Sequence, residues 1–404
     1  MRGDAMKNKF QYIIIGSGIL GLSIARAISE INLDASILII DKEPREAAHA
    51  SSRNSGVLHA GFYYSADSLK AKFTVQGNRA LKSFCARKGL AVNECGKLVV
   101  AQNEEELQIL YDLQKRGREN GSNVAIIDEE HARELEPNVR TFKKALYSPD
   151  TASIDPQQVC SELKRELEQM GVRFSFQTKY TGKIEGGIAT DKGEFRAGKI
   201  INCAGLYADT IAHDFGFGQN YTMIPFKGLY LKYTKNKTDI KMNIYPVPNL
   251  NNPFLGVHFT KAVDGSIKIG PTAIPALWRE NYDNSNFNFN EFADIATQET
   301  RLFLTNSFGF RRLAWEEMKK YNKKYFVGLA QRMVQTIDPK GFTEYTKPGI
   351  RAQLLDKKSR KLILDFVVEG DQHSTHILNA VSPAFTCAFP FGEYVTINHI
   401  HQSP

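Results

Sequence analysis

Apolar positions along the chain change period from one segment to the next, and the changes mark the elements. QYIII (11–15) is a short β-branched run with no polar face, the pattern of a strand buried on both sides. LSIARAISE (22–30) repeats its apolar residues at helical spacing, and ASILIID (35–41) is a second apolar run that ends on an acid. Asp155 and Pro156 predict a helix start, with Gln158 closing a capping box; the helix then stops at Gly171. VRFSFQT, KYTGKIEGGIAT and EFRAGKIINCAG follow as short strands. Between 216 and 330 the pattern shifts to alternation: GLYLKYTK, FLGVHFT and SIKIG predict half-buried antiparallel strands. EFADIATQETRLFLTN and EEMKKYN predict helices, and PGIRAQLLD and LILDFVVEG two more strands. The chain closes on HILNAVSPAFTCAFPFGEYV, read as strand, Ser-Pro turn and helix. It is uncharged from Ile377 to Gly392 and so is expected to be buried.

The first strand runs into Gly16-Ser17-Gly18-Ile19-Leu20-Gly21. Gly16 makes the tight turn, Gly18 lets the backbone approach a pyrophosphate, and Gly21 lets helix and strand pack closely. The helix start supplies free N–H groups and the positive end of a dipole. Asp41, placed after the second strand, suits a ribose hydroxyl. Strand, glycines, helix, strand and acid in this order predict dinucleotide binding, but they do not separate NAD from FAD.

Composition narrows the picture further. The net charge is +8, with basic residues dispersed apart from KYTKNKTDIK (232–241) and KKYNKK (319–324). Nucleic-acid binding would need clustering and a reading module, and neither is seen. A positive field would suit an anionic substrate or anionic lipid. Five dispersed cysteines argue for a reducing compartment, without a disulfide framework or metal site. No run is long and apolar enough to span a membrane, so the expected location is cytoplasmic, with any membrane contact peripheral on the inner face.

The stretches SSRNSGVLHAGFYYSADSLKAKF, ECGKLVVA, INCAGLYAD, IPFKGLYLKY, PFLGVHFTKAVDGSIKIGP, PGIRAQLLD and HILNAVSP carry a resemblance over nearly the whole chain. The chain resembles the D-amino-acid-oxidase-like FAD oxidoreductases, and within them the L-2-hydroxyglutarate dehydrogenases and oxidases. The resemblance implies FAD as cofactor and oxidation of the 2-hydroxyl of a small dicarboxylate, with electrons passed to a quinone or to oxygen. The alternative is a related FAD enzyme of another 2-hydroxy acid, glycerol 3-phosphate or an amino acid. A noncatalytic flavoprotein and an NAD enzyme are weaker readings.

The implied fold is α/β: a Rossmann-like FAD-binding domain assembled from residues 8–85, 150–215 and 331–400. An α+β substrate domain with an antiparallel sheet takes 86–149 and 216–330, and 1–7 and 401–404 are expected to be flexible. FAD would contact Gly16, Ser17, Gly18, Ile19, Gly21, Asp41, Lys42, Ser52, Asn54, Ser55, Gly56, Val172, Ala204, Gly205, Ser382, Pro383 and Ala384. Alcohol oxidation needs a base, and a neutral histidine titrates in the right range. His59 is the first choice and His258 the second. Arg351 is the expected carboxylate clamp, Lys227 a second cation, and Tyr63 and Tyr64 are donors to the substrate. His131 and His213 are read as surface residues. Phe385 and Thr272 depart from the family pattern.

Overall fold

The computed structural model describes residues 8–235, 239–248, 254–283, 285 and 287–401. The termini expected to be flexible lie outside this range except His401, which forms a bend. The chain divides into two compact units, one of residues 1–53, 156–224 and 352–404, the other of 54–155 and 225–351.

The first unit is built on a parallel sheet. Its central strand Lys9–Ile15 pairs in parallel with Ile37–Ile40 on one side and with Gly193–Asn202 on the other. Arg173–Ser175 extends the sheet beyond Ile37–Ile40. The long strand Gly193–Asn202 divides its free edge: its first half forms an antiparallel hairpin with Gly187–Thr190, and its second half pairs in parallel with Ser374–Asn379. Ile13, Ile14 and the whole of Ile37–Ile40 are buried, as a strand covered on both faces requires. Helix Ile19–Ile31 packs on helix Ala384–Val395 so closely that a Cβ on Gly392 would stand 2.9 Å from the Ser23 backbone. The uncharged C-terminal segment is thus buried in this unit, with the Arg26 guanidinium 4.8 Å from the centre of the Phe389 ring.

The second unit carries an eight-stranded, mostly antiparallel sheet. Its order is Phe342–Tyr345, Leu231–Tyr233, Ile267–Gly270, His258–Lys261, Asn243–Pro246, Lys97–Val100, Lys144–Ser148, Ala125–Asp128. Period-two alternation gives this sheet two unlike faces. Leu98, Val100, Leu231, Ile244, Phe259, Ile267 and Ile269 point to one, where Phe326, Val327 and Ala330 of helix Lys323–Gln331 cover them. The residues between them, Lys97, Tyr245, His258 and Lys268, occupy the other.

The division differs from the sequence expectation in four places: residues 150–155 fall in the second unit and 216–224 in the first, and two longer stretches also change sides. Residues 54–85 belong to the second unit, because Val57–Leu58 pairs with Ala152–Ile154 and the Asn78 amide donates to the carbonyls of Leu58, His59 and Asp150. Residues 331–351 also belong there, since Phe342–Tyr345 is an edge strand of its sheet and the Arg140 N–H donates to Met333 O. His213 is half-buried, not superficial: its Nε2 donates to Gly218 O at 2.8 Å. His131 is exposed, as read.

Candidate active site

In the first unit the parallel strands all end at one edge, and the nucleotide-binding candidates follow those ends. Gly16 succeeds Ile15, and Asp41 and Lys42 succeed Ile40. Cys203, Ala204 and Gly205 succeed Asn202, and Ser382 and Pro383 lie between Asn379 and helix Ala384–Val395. This is the edge at which open α/β sheets bind ligands. The turn is tight. Gly16 has φ +105°, and a Cβ on Gly21 would lie 2.0 Å from Gly16 O. At Gly18 a Cβ would meet only the Ser51 hydroxyl, at 3.0 Å, and at Gly205 nothing within 4 Å. The backbone is therefore bare where a pyrophosphate must approach, and these residues fit a dinucleotide.

Asp41 also braces the turn. Its Oδ2 accepts from Ser17 N at 2.8 Å and from the Ser17 hydroxyl at 2.6 Å, while Oδ1 accepts from Glu43 N. The Ser51 hydroxyl accepts from Ile19 N at 2.9 Å, and Ser52 donates to Ala47 O. Lys42 pairs with Glu43 at 2.7 Å. Val172 falls away from the edge. It precedes Arg173, whose partner Leu38 lies near the start of its strand, and its N–H is spent on Leu167 O. The residues that strand delivers to the Asp41 end are Ser175 to Thr178, with Thr178 N donating to Asp41 O at 2.8 Å. The sequence reading named Val172, at the other end of this strand.

The remaining nucleotide candidates lie in the second unit, where Asn54 Oδ1 accepts from Gly56 N and Ser55 Oγ from Val57 N. Of the catalytic candidates, His258 stands on that unit's polar sheet face, and His59, which follows strand Val57–Leu58 of a separate small sheet, is near enough to feel Lys97 and His258. Tyr245 and His258 are cross-strand neighbours and stack with ring centroids 3.6 Å apart. His258 Nδ1 donates to Gly256 O at 2.8 Å, so the lone pair sits on Nε2, which is buried without a hydrogen-bond partner among the described residues. Burial first, then Lys97 and Arg351, push His258 down to about 3, against the opposing effect of the Gly256 bond. His59 is also buried, and desolvation, Lys97 and His258 hold its pKa well below the usual value. Both imidazoles are neutral proton acceptors in a field of cations.

Arg351 is half-buried and donates from Nη1 to Thr272 O at 3.2 Å. The next N–H along, that of Ala273, donates to Glu317 Oε2 at 2.6 Å, and Glu317 forms a buried ion pair with Lys320. One peptide unit therefore links the arginine to a buried carboxylate. Thr272, the departure from the family pattern, is structural: its hydroxyl accepts from Leu229 N and donates to Lys227 O. Phe385 is half-buried in the C-terminal helix. Lys227 itself is half-buried, and the charge acting on it is that of Asp283. The fully buried cation beside the imidazoles is instead Lys97, which the sequence reading missed. The signal was there, a lysine opening the apolar run KLVV. Tyr63 is buried with its hydroxyl unpartnered among the described residues. Tyr64 is half-buried, its carbonyl accepting from the Asn120 amide.

Residues 11–396 match the model of the FAD dependent oxidoreductase family DAO. Among curated relatives, L-2-hydroxyglutarate dehydrogenase of Escherichia coli is 32% identical over 96% of this chain and 92% of that protein. The protein of that name from Indibacter alkaliphilus is 34% identical over 95% of this chain and 97% of its own length. Among solved structures, L-alpha-glycerophosphate oxidase from Mycoplasma pneumoniae with FAD bound superposes with a TM-score of 0.76 at 21% identity, covering 96% of this chain and 95% of that one.

The glycine geometry sets a test. Gly21→Ala puts a methyl against backbone that cannot yield, so the purified protein should lose most of its bound nucleotide, read as the cofactor-to-protein absorbance ratio. Gly89→Ala, at φ +65° with open space and away from the nucleotide-binding edge, costs only the left-handed strain of about 1 kcal/mol and should stay loaded.

Proposed function

The chain belongs to the DAO family of FAD dependent oxidoreductases, and from that premise we propose that it oxidises L-2-hydroxyglutarate to 2-oxoglutarate. FAD is the cofactor and, when bound, supplies the hydride acceptor. The observation that supports this substrate most directly is the polar sheet face of the second unit. It sets the neutral His258 among cations, with the neutral His59 near enough to feel Lys97, as deprotonating the hydroxyl of an anionic 2-hydroxy acid requires. The substrate names of the curated relatives point the same way.

Each residue then has a task. Arg351 clamps the carboxylate next to the reacting carbon, its guanidinium aimed by the Thr272–Ala273 peptide and Glu317. His258, pinned by Gly256 and stacked on Tyr245, accepts the hydroxyl's hydrogen bond and orients it. His59 takes the proton. Binding a dicarboxylate brings negative charge to both rings and raises their affinity for that proton at the moment it is released. Lys227, the second cation of the sequence reading, contributes positive charge farther from the rings.

For the electron acceptor we favour a quinone at an anionic membrane surface. Among the described residues no helix is long and apolar enough to cross a membrane. Helices Phe289–Thr305 and Phe310–Lys319 nevertheless expose Phe289, Phe303, Leu304, Trp315 and Met318, each at least 49% accessible, beside the exposed cations Arg301, Arg311, Arg312 and Lys319. Apolar anchors ringed by cations suit a headgroup layer.

Four measurements test the reading. L-2-hydroxyglutarate should bleach the flavin anaerobically and the D enantiomer should not; no bleaching with either ends the substrate assignment. His59→Ala should slow that reduction by about 100-fold or more, and an unchanged rate would remove His59 from the chemistry. At limiting substrate, where the rate constant reports the free protein, flavin reduction should not fall through a histidine titration near 6.5 as pH drops from about 8 to about 5, because both histidines are held below that value. In co-sedimentation, Trp315→Ser should weaken binding to anionic vesicles about tenfold, the loss of ~1.4 kcal/mol of apolar burial. Equal binding by both proteins would exclude these helices as the contact.

A further inference from the structure

Lys97 is fully buried at the start of strand Lys97–Val100, and its ammonium has no hydrogen-bond partner among the described residues. Three rings surround it, with centroids at 4.0 Å for Tyr245, 5.3 Å for Tyr63 and 5.6 Å for Phe62. Cation–π contacts of this kind offset part of the cost of burying a charge, and the lowered pKa of Lys97 shows that they do not offset all of it. The neighbour that favours the charged form is the Cys95 thiol rather than a carboxylate, and burial pulls Lys97 down to about 7. A cation kept at such cost, with no acid beside it, calls for an anion that arrives from outside.

Two further observations place that anion. Tyr63 leaves a second buried donor unpartnered, its ring against the same ammonium. Lys97, Tyr245 and His258 stand on three adjacent strands of the sheet and on one face, in the registers Asn243↔Lys97 and Ile244↔Phe259. Lys97 and Arg351 both act on the His258 ring, although neither touches it through a hydrogen bond. A ligand whose hydroxyl rests on His258 Nε2 therefore has one cation within reach at Arg351 and another at Lys97.

We propose that Lys97 and Tyr63 form a second carboxylate site, which binds the far carboxylate of the substrate and selects a 2-hydroxy diacid over a 2-hydroxy monoacid. This rests on the 2-hydroxy acid oxidation proposed above, with Arg351 holding the near carboxylate. The carboxylate accepts from the ammonium and from the phenol, so both donors left open by the fold are satisfied in one step.

The test uses the flavin-loaded protein and its Lys97→Met variant, which keeps the apolar stem and removes the charge. Both are titrated anaerobically with L-2-hydroxyglutarate and with L-2-hydroxybutyrate, following flavin reduction. Glutarate binding is followed separately through perturbation of the flavin spectrum. The expected result is a loss of at least about 30-fold in affinity for the diacid and for glutarate, with the monoacid changed less than about threefold. Lys97→Met retaining the diacid-to-monoacid ratio would overturn the proposal. If Lys97→Met does not hold flavin, Tyr63→Phe decides: it should weaken glutarate binding several-fold, and unchanged binding rejects the site. Failure of the unmodified protein to be reduced by either hydroxy acid would reject the oxidation itself, a separate outcome.

Discussion

The two-sidedness of one β-sheet is the constraint on which this protein's chemistry depends. A strand must send alternate side chains to opposite faces. Leu98, Ile244, Phe259 and Ile269 therefore commit one face of the second unit's sheet to a sealed core. Lys97, Tyr245, His258 and Lys268 are thereby committed to the other face with nowhere else to go. The apolar residues supply the stability, and the alternation converts it into a rigid platform of cations and imidazoles. A one-residue register slip would exchange the two sets and destroy core and site together.

Lys97 and Lys268 on this face, and Arg351 on strand Gly349–Asp356 of a separate sheet, cost stability by their burial, and the protein reduces that cost in different ways. Lys268 has Asp264 and Asp155 within electrostatic reach, and burial brings it down to about 8. Arg351 is tied through a single peptide unit to the buried Glu317–Lys320 pair. Lys97 has three aromatic rings and the Cys95 thiol, with no carboxylate partner among the described residues. The residue with the weakest internal compensation is the one with most to gain from an anionic ligand. Burial first, reinforced by Lys97 at both rings and by Arg351 and Lys268 at His258, keeps His59 and His258 neutral, so one arrangement prepares both the binding of an acid and the acceptance of a proton.

The first unit works by a different geometry. Parallel strands from distant stretches of chain end together, and the loops that leave them meet along one edge. Close approach there is enforced by absent side chains at Gly16, Gly18 and Gly21, and by Asp41 holding the turn from beneath.

The nucleotide-binding turn was legible in the sequence because it is local. Strand, glycines, helix, second strand and acid lie within a few turns of chain, and each step follows from propensity, sterics and the exposed ends of a helix. The alternating strands around His258 and the buried C-terminal helix were legible for the same reason. The unit boundaries, the place of Val172 and the choice of Lys97 over Lys227 were not. Each depends on which strand pairs with which, and in what register, across segments far apart in the chain. Val57 pairs with Ser153, Lys97 with Asn243 and Leu38 with Arg173. A lysine at the head of an apolar run reads as a strand end until its neighbours arrive from distant segments and close over it. The sequence by itself thus determined that a dinucleotide binds and which residue types are available for a reaction. Tertiary pairing decided which of them share a face, because burial and electrostatic coupling belong to neighbours in space and not to neighbours in sequence.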